Sequence, residues 1–184
     1  LQLFFHKLHV FDHYQCKKNR IMNKIGIPKK EHTALIVIDF QEKLVPIVQN
    51  VSEVLKNANL LLMSSEILSL TTIITEQYPK GLGRTCNDLY FSSYFPIVEK
   101  NTFSCMQNKN LLEILKKNKI KDLIICGIEA HICVLNSCIE AIEMGFTVHV
   151  VADAISSRTN ENKVLAIKRM LQSGVYITST EMIL

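Results

Sequence analysis

The chain has 184 residues, of which 48% are hydrophobic and 21% charged, a composition that fills one ordinary domain and excludes the disordered and fibrous classes. Its net charge of +4 lies in a leading arm: residues 1 to 30 hold seven Lys/Arg against Asp12 alone, and the remainder holds fourteen against sixteen acids. That mildly acidic body argues against a folded basic face for nucleic acid, and no apolar run approaches the roughly 18 residues of a membrane-spanning helix.

The expected organisation is therefore a basic arm over residues 1 to 30 and one soluble domain over residues 31 to 184, with neither nucleic acid nor membrane as partner. Cys16, Cys86, Cys105, Cys126, Cys133 and Cys138 show no C-x-x-C spacing and too low a density for a disulfide-stapled secreted domain, so reduced thiols inside a cell are expected. Cytoplasm is the default location, with mitochondria as the alternative. Residues 1 to 21 lack a clear secretory core and cleavage site, and Met22 reads as the natural start, with an extension ahead of it.

From residue 33 strands and helices alternate. Thr33-Ala-Leu-Ile-Val-Ile is a β-branched run ending at Asp39, and residues 51 to 68 have helical periodicity. Residues 70 to 75 read as a second buried strand running into Glu76-Gln-Tyr-Pro-Lys-Gly-Leu-Gly83, where one Pro and two Gly call for a loop. After an irregular stretch come a weak strand over residues 96 to 99, a helix over 110 to 118 and a strand over 122 to 127. Residues 131 to 144 have helical spacing and stop at Gly145; residues 147 to 152 form a strand ending at Asp153. A helix over 158 to 173, closed by Gly174, and a strand over 175 to 178 complete the pattern.

Near-continuously apolar strands alternating with helices imply a parallel sheet covered on both faces, a three-layer α/β/α class. In such sheets ligands bind outside the carboxyl ends of the strands. That rule selects Asp39, Glu76, Lys100, the segment 127 to 133, and Asp153. Cys133 sits where a helix is expected to begin, so the helix dipole and a neighbouring lysine would favour its thiolate and make it a nucleophile.

Each candidate has a plainer explanation. A cysteine on a mixed helix is ordinarily a small buried hydrophobe, and Cys126 and Cys138 are read that way. Asp39 ends the run Leu-Ile-Val-Ile, so its carboxylate must be paired, capped or functional. Lys100 taken alone is a solvated charge. Glu76, Gln77 and Tyr78 are either a polar pocket wall or ordinary loop residues. His131 is expected to cap or line the site rather than act as a base, and Asp153 to tie its own loop down through Ser156, Ser157 or Arg158.

Three segments together, Ala34-Leu-Ile-Val-Ile-Asp-Phe-Gln-Glu-Lys43, Lys100-Asn-Thr-Phe-Ser104 and Gly127-Ile-Glu-Ala-His-Ile-Cys-Val134, resemble the isochorismatase-like cysteine hydrolases. The stretches 75 to 83 and 150 to 158 resemble the eukaryotic isochorismatase-domain-containing branch. The resemblance implies a Rossmann-like six-stranded parallel sheet in the order 3-2-1-4-5-6 and a catalytic triad of Asp39, Lys100 and Cys133. It also implies a cis peptide at Ile128-Glu129, with the amides of Glu129 and Cys133 as an oxyanion hole, and a homodimer or homotetramer. Family members that act as nicotinamidases carry an Asp-x-His metal motif after the second strand; Glu76-Gln-Tyr stands there in this chain, so no catalytic metal and no cofactor are expected.

The implied activity is amide-type hydrolysis of a small molecule through a thioester, with Asp39 as proton carrier. The competing reading is a non-catalytic scaffold with a preserved pocket, in which Cys133 would react with a thiol reagent no faster than Cys86 or Cys105.

Overall fold

A computed structural model describes residues 26–184; the Met22 start and most of the basic arm lie outside the described residues. Six parallel strands form one sheet: β1 (Thr33–Ile38), β2 (Thr71–Gln77), β3 (Ile97–Lys100), β4 (Asp122–Ile128), β5 (Thr147–Ser156) and β6 (Tyr176–Thr178). Their order is β3-β2-β1-β4-β5-β6. The longer helices are α1 (Val51–Ile67), α3 (Lys109–Lys117), α4 (Leu135–Glu143) and α5 (Asn160–Gln172), with single turns at α2 (Pro79–Leu82) and α6 (Thr180–Ile183). None of these helices is long and apolar enough to cross a membrane.

All six residues of β1 are buried, and the two-residue period of a strand divides them between two cores. Ala34, Ile36 and Ile38 pack with Leu111 and Leu115 of α3, Cys138 and Ala141 of α4, and Ala166 and Met170 of α5. Leu35 and Val37 pack on the other face with Val54, Leu55, Ala58, Leu61 and Leu62 of α1. A strand with a core on both sides has no polar face to show, which is why its sequence reads as an unbroken apolar run. Side-chain caps then set helix starts: Asn108 accepts from the amide of Leu111 at α3, and Thr159 from that of Asn162 at α5.

The strand order reverses between β1 and β4, and the carboxyl ends of strands at such a reversal are where open parallel sheets bind ligands. The residues that follow, Asp39 and Glu129, begin the site.

Several expected boundaries move. β2 runs two residues past Thr75, because Glu76 and Gln77 find partners for their polar side chains at the strand end. The helix expected from residue 131 starts instead with one π-helical turn, Ala130–Val134, before α4. β5 does not end at Asp153 but continues to Ser156 past a register shift against β4. Asp153 accordingly reaches a different partner from the one expected: its Oδ1 accepts from the amide and hydroxyl of Thr180, each at 2.9 Å, and so holds α6 rather than the loop at 156 to 158.

Candidate active site

Asp39 is fully buried, with a positive φ of 54° just past the end of β1. Its Oδ1 accepts from the hydroxyl of Thr75 at 2.6 Å and its Oδ2 from Lys100 Nζ at 2.7 Å. Lys100, the last residue of β3, is 4% exposed. Its ammonium also donates to Gln77 Oε1 at 2.7 Å and faces the carbonyls of Phe103 and Thr102 at 3.2 and 3.3 Å. A buried ion pair is sustained only when further hydrogen bonds satisfy both charges, and here Thr75, Gln77 and two carbonyls do so.

Cys133, 5% exposed in the π-helical turn, holds its thiol near enough to Asp39 and Lys100 for both charges to act on it. Burial pushes this thiol up to about 12, the Asp39 carboxylate adds to the rise, and Lys100 opposes it. The lysine does favour the thiolate as expected, but burial and the neighbouring carboxylate outweigh it, so the thiol stands above its ordinary value. Ser137 couples the two loops, donating to the carbonyl of Cys133 at 2.7 Å while accepting from the amide of Cys105 at 3.0 Å.

The approach to Cys133 begins at Gly127, whose φ is +139° and where a Cβ would meet the carbonyl oxygen of Ile38 at 2.3 Å. The Ile128–Glu129 peptide is cis. The Glu129 carboxylate is buried and accepts from the backbone amide, Nε and Nη2 of Arg158 at 3.0, 3.0 and 2.6 Å. Burial alone would raise its pKa, but the hydrogen bonds and charge of Arg158 outweigh this and hold it below the usual carboxylate range.

The structure brings Asp39, Lys100 and Cys133 together and puts Gln77 on the Lys100 ammonium. It directs Glu76 elsewhere: that carboxylate is buried against Arg84 and against the amide and hydroxyl of Thr85, so it does not share the wall that Gln77 forms. Tyr78 is 54% exposed and gives its backbone amide to the carbonyl of Lys100. His131 lies with Nδ1 3.0 Å from the hydroxyl of Ser157. Among the described residues no group of three or more His, Cys, Asp or Glu is arranged to hold a metal ion.

Sequence reasoning passed over Thr75, Gln41 and Ser137. Gln41 is fully buried and clamps the strand end beside Gln77, its side chain bonding the amide and carbonyl of Gln77 and the carbonyl of Gly83 at 2.7, 3.0 and 2.7 Å. The available signal was polarity inside apolar surroundings: Thr75 closes the run Thr-Thr-Ile-Ile-Thr, and Gln41 follows Asp39-Phe.

Residues 33–182 match the model of the isochorismatase domain. Isochorismatase domain-containing protein 2 of Danio rerio is 37% identical over 163 residues, covering 89% of this chain and 82% of that protein. Among solved structures, the MAR1 ribonuclease of Caenorhabditis elegans superposes with a TM-score of 0.80 at 39% identity, covering 84% of this chain and 80% of that one. YcaC from Pseudomonas aeruginosa, solved with hexane-2,5-diol and covalent acrylamide, gives a TM-score of 0.76 at 26% identity over 85% and 80% of the two chains. With a six-stranded parallel sheet in the order 3-2-1-4-5-6 and a family match spanning most of its length, the chain belongs to the isochorismatase family.

Proposed function

We propose that this protein is a hydrolase that uses Cys133 as nucleophile on a small amide-type substrate, by way of a thioester. The observation that carries the reading is the buried Asp39–Lys100 pair, 2.7 Å apart, meeting the thiol of Cys133 where the strand order reverses. A carboxylate and an ammonium held out of water beside a thiol have little structural purpose, since apolar residues of similar size pack such a site at lower cost.

In the proposed cycle Asp39 takes the thiol proton as sulfur attacks the substrate carbonyl. Lys100 offsets the negative charge shared between sulfur and carboxylate, and the amides of Glu129 and Cys133 receive the carbonyl oxygen as it becomes an oxyanion. The carbon–nitrogen bond then breaks, and the proton on Asp39 passes to the departing amine. Water, deprotonated by Asp39, attacks the thioester to release the acid and restore the thiol. The thiol needs no ionisation beforehand, which suits a group whose pKa is pushed up to about 12. The covalent acrylamide on YcaC supports the presence of a reactive nucleophile within this fold.

The test is intact and peptide mass spectrometry after brief exposure to a panel of small amides and esters. The expected result is an acyl adduct on Cys133 in the wild type, with turnover abolished by Cys133→Ala; near-wild-type turnover by that variant overturns the assignment.

A second reading comes from the name of the nematode neighbour, a ribonuclease. Cleavage of single-stranded RNA that is lost in Cys133→Ala, with no acyl adduct across the panel, would favour it. Equal reactivity of Cys133, Cys86 and Cys105 toward a thiol reagent would instead favour a scaffold.

A further inference from the structure

The turn that carries Cys133 is braced by a segment the proposed cycle does not use. At the end of β5, the Ser156 hydroxyl donates to the carbonyl of Gln49 at 2.6 Å, the Gln49 amide donates to the Ser157 carbonyl at 3.0 Å, and Gln49 Nε2 donates to the Arg158 carbonyl at 3.0 Å. From this anchored segment two side chains reach across to the start of the nucleophile turn. Ser157 meets His131, and Arg158 grips Glu129.

The second contact is unequal. The Glu129 side chain is 4% exposed while that of Arg158 is 53% exposed, so a cation with ready access to water holds a carboxylate that has almost none. Three hydrogen bonds to two carboxylate oxygens fix the plane of the group as well as its place. Glu129 is also the residue whose backbone amide the proposed cycle uses.

We propose that Arg158 is a positioning residue: through its fork on the Glu129 carboxylate it sets the Glu129 amide that receives the oxyanion, without touching the substrate. This rests on the cysteine-hydrolase reading above. An oxyanion donor works only when held close to where charge develops, and losing one outright costs about 100- to 1,000-fold. Releasing the side chain that anchors such a donor is expected to cost about 10- to 100-fold in acylation, because the amide is loosened rather than removed.

The prediction separates two reactions of one sulfur. In acylation by p-nitrophenyl acetate, sulfur bonds to the carbonyl carbon, the bond to p-nitrophenolate breaks, and an oxyanion forms on the way. In alkylation by iodoacetamide, sulfur displaces iodide and no oxyanion forms. The experiment measures both rates at Cys133 in the full chain for wild type, Arg158→Gln and Arg158→Lys. Arg158→Lys keeps the buried carboxylate paired, and so guards against misfolding, but lacks the fork.

The expected result for both variants is slower acylation, about 10- to 100-fold for Arg158→Gln and less for Arg158→Lys, with alkylation within about twofold of wild type. Acylation and alkylation falling in parallel would overturn the proposal, marking Arg158 as a support for the whole turn, and so would two unchanged rates. Wild-type protein that is alkylated but never acylated at Cys133 would sink the hydrolase reading itself, and this inference with it.

Discussion

Cys133 keeps its proton at neutral pH because it is buried and faces a carboxylate, and the nearby ammonium of Lys100 offsets only part of this. Sequence position suggested the opposite, since a cysteine at a helix start next to a lysine is ordinarily ionised more readily. Burial decides, and no residue type or spacing announces how deeply a side chain will sit. A consequence is measurable: with the thiol pushed up to about 12 and Asp39 beside it to take the proton, alkylation of Cys133 by iodoacetamide should change by less than about threefold between about pH 7 and about pH 9. A rise of about tenfold per pH unit would show that the sulfur reacts only after ionising without Asp39. Asp39 and Lys100 were legible as candidates because a charge ending an apolar run needs a reason. Gln77 was legible only as either a pocket wall or a loop residue, and Thr75 only as the end of a strand, until folding placed both on that pair.

β1 is the element most fully legible: its six residues lie where the apolar run lies, and the chain turns at Asp39. The sequence places the end of β2 at Thr75, because Glu76 and Gln77 have the polarity of a loop, whereas the strand runs to Gln77. Their side chains are accommodated only by Arg84 and Thr85 eight and nine residues on, and by Lys100 on the neighbouring strand. The π-helical turn at Ala130–Val134 was equally hidden, since its residues share the spacing of the α-helix that follows. Gly127 near the end of β4 has a role that sequence showed only as punctuation. Its φ is +139° and an added Cβ would lie 2.3 Å from the Ile38 carbonyl oxygen, an atom of the adjacent strand that cannot give way cheaply. Gly127→Ala should therefore destabilise by about 2 to 5 kcal/mol through backbone strain and overpacking. Chemical denaturation checks this, and a loss under about 1 kcal/mol would show that β4 can shift to make room.

Across the whole molecule, buried thiols tie stability to alkaline pH. From an ordinary value of 9.0, burial pushes Cys105 up to about 11 and Cys126 and Cys133 up to about 12, and it raises Cys138 well above that ordinary value. Each keeps its proton in the folded protein while the unfolded chain loses it, so their contribution is full below about pH 9 and is lost as pH rises toward the folded values. Each buried thiol then lowers stability by about 1 kcal/mol per pH unit above that point. The urea midpoint should fall between about pH 8 and about pH 10.5, with a shallower fall in Cys126→Ala; a level midpoint would show that the core opens to water before the thiols titrate. The sequence by itself determined the α/β class, the alternation of strands and helices, and the strand ends where chemistry had to lie, because these follow from local periodicity and from the cost of ending an apolar strand on a charge. Only the tertiary structure decided that the thiol is protonated, that Gln77 rather than Glu76 serves Lys100, and that Arg158 grips Glu129 from 29 residues away. Those depend on burial and on contacts between distant segments, which exist only once the sheet has formed.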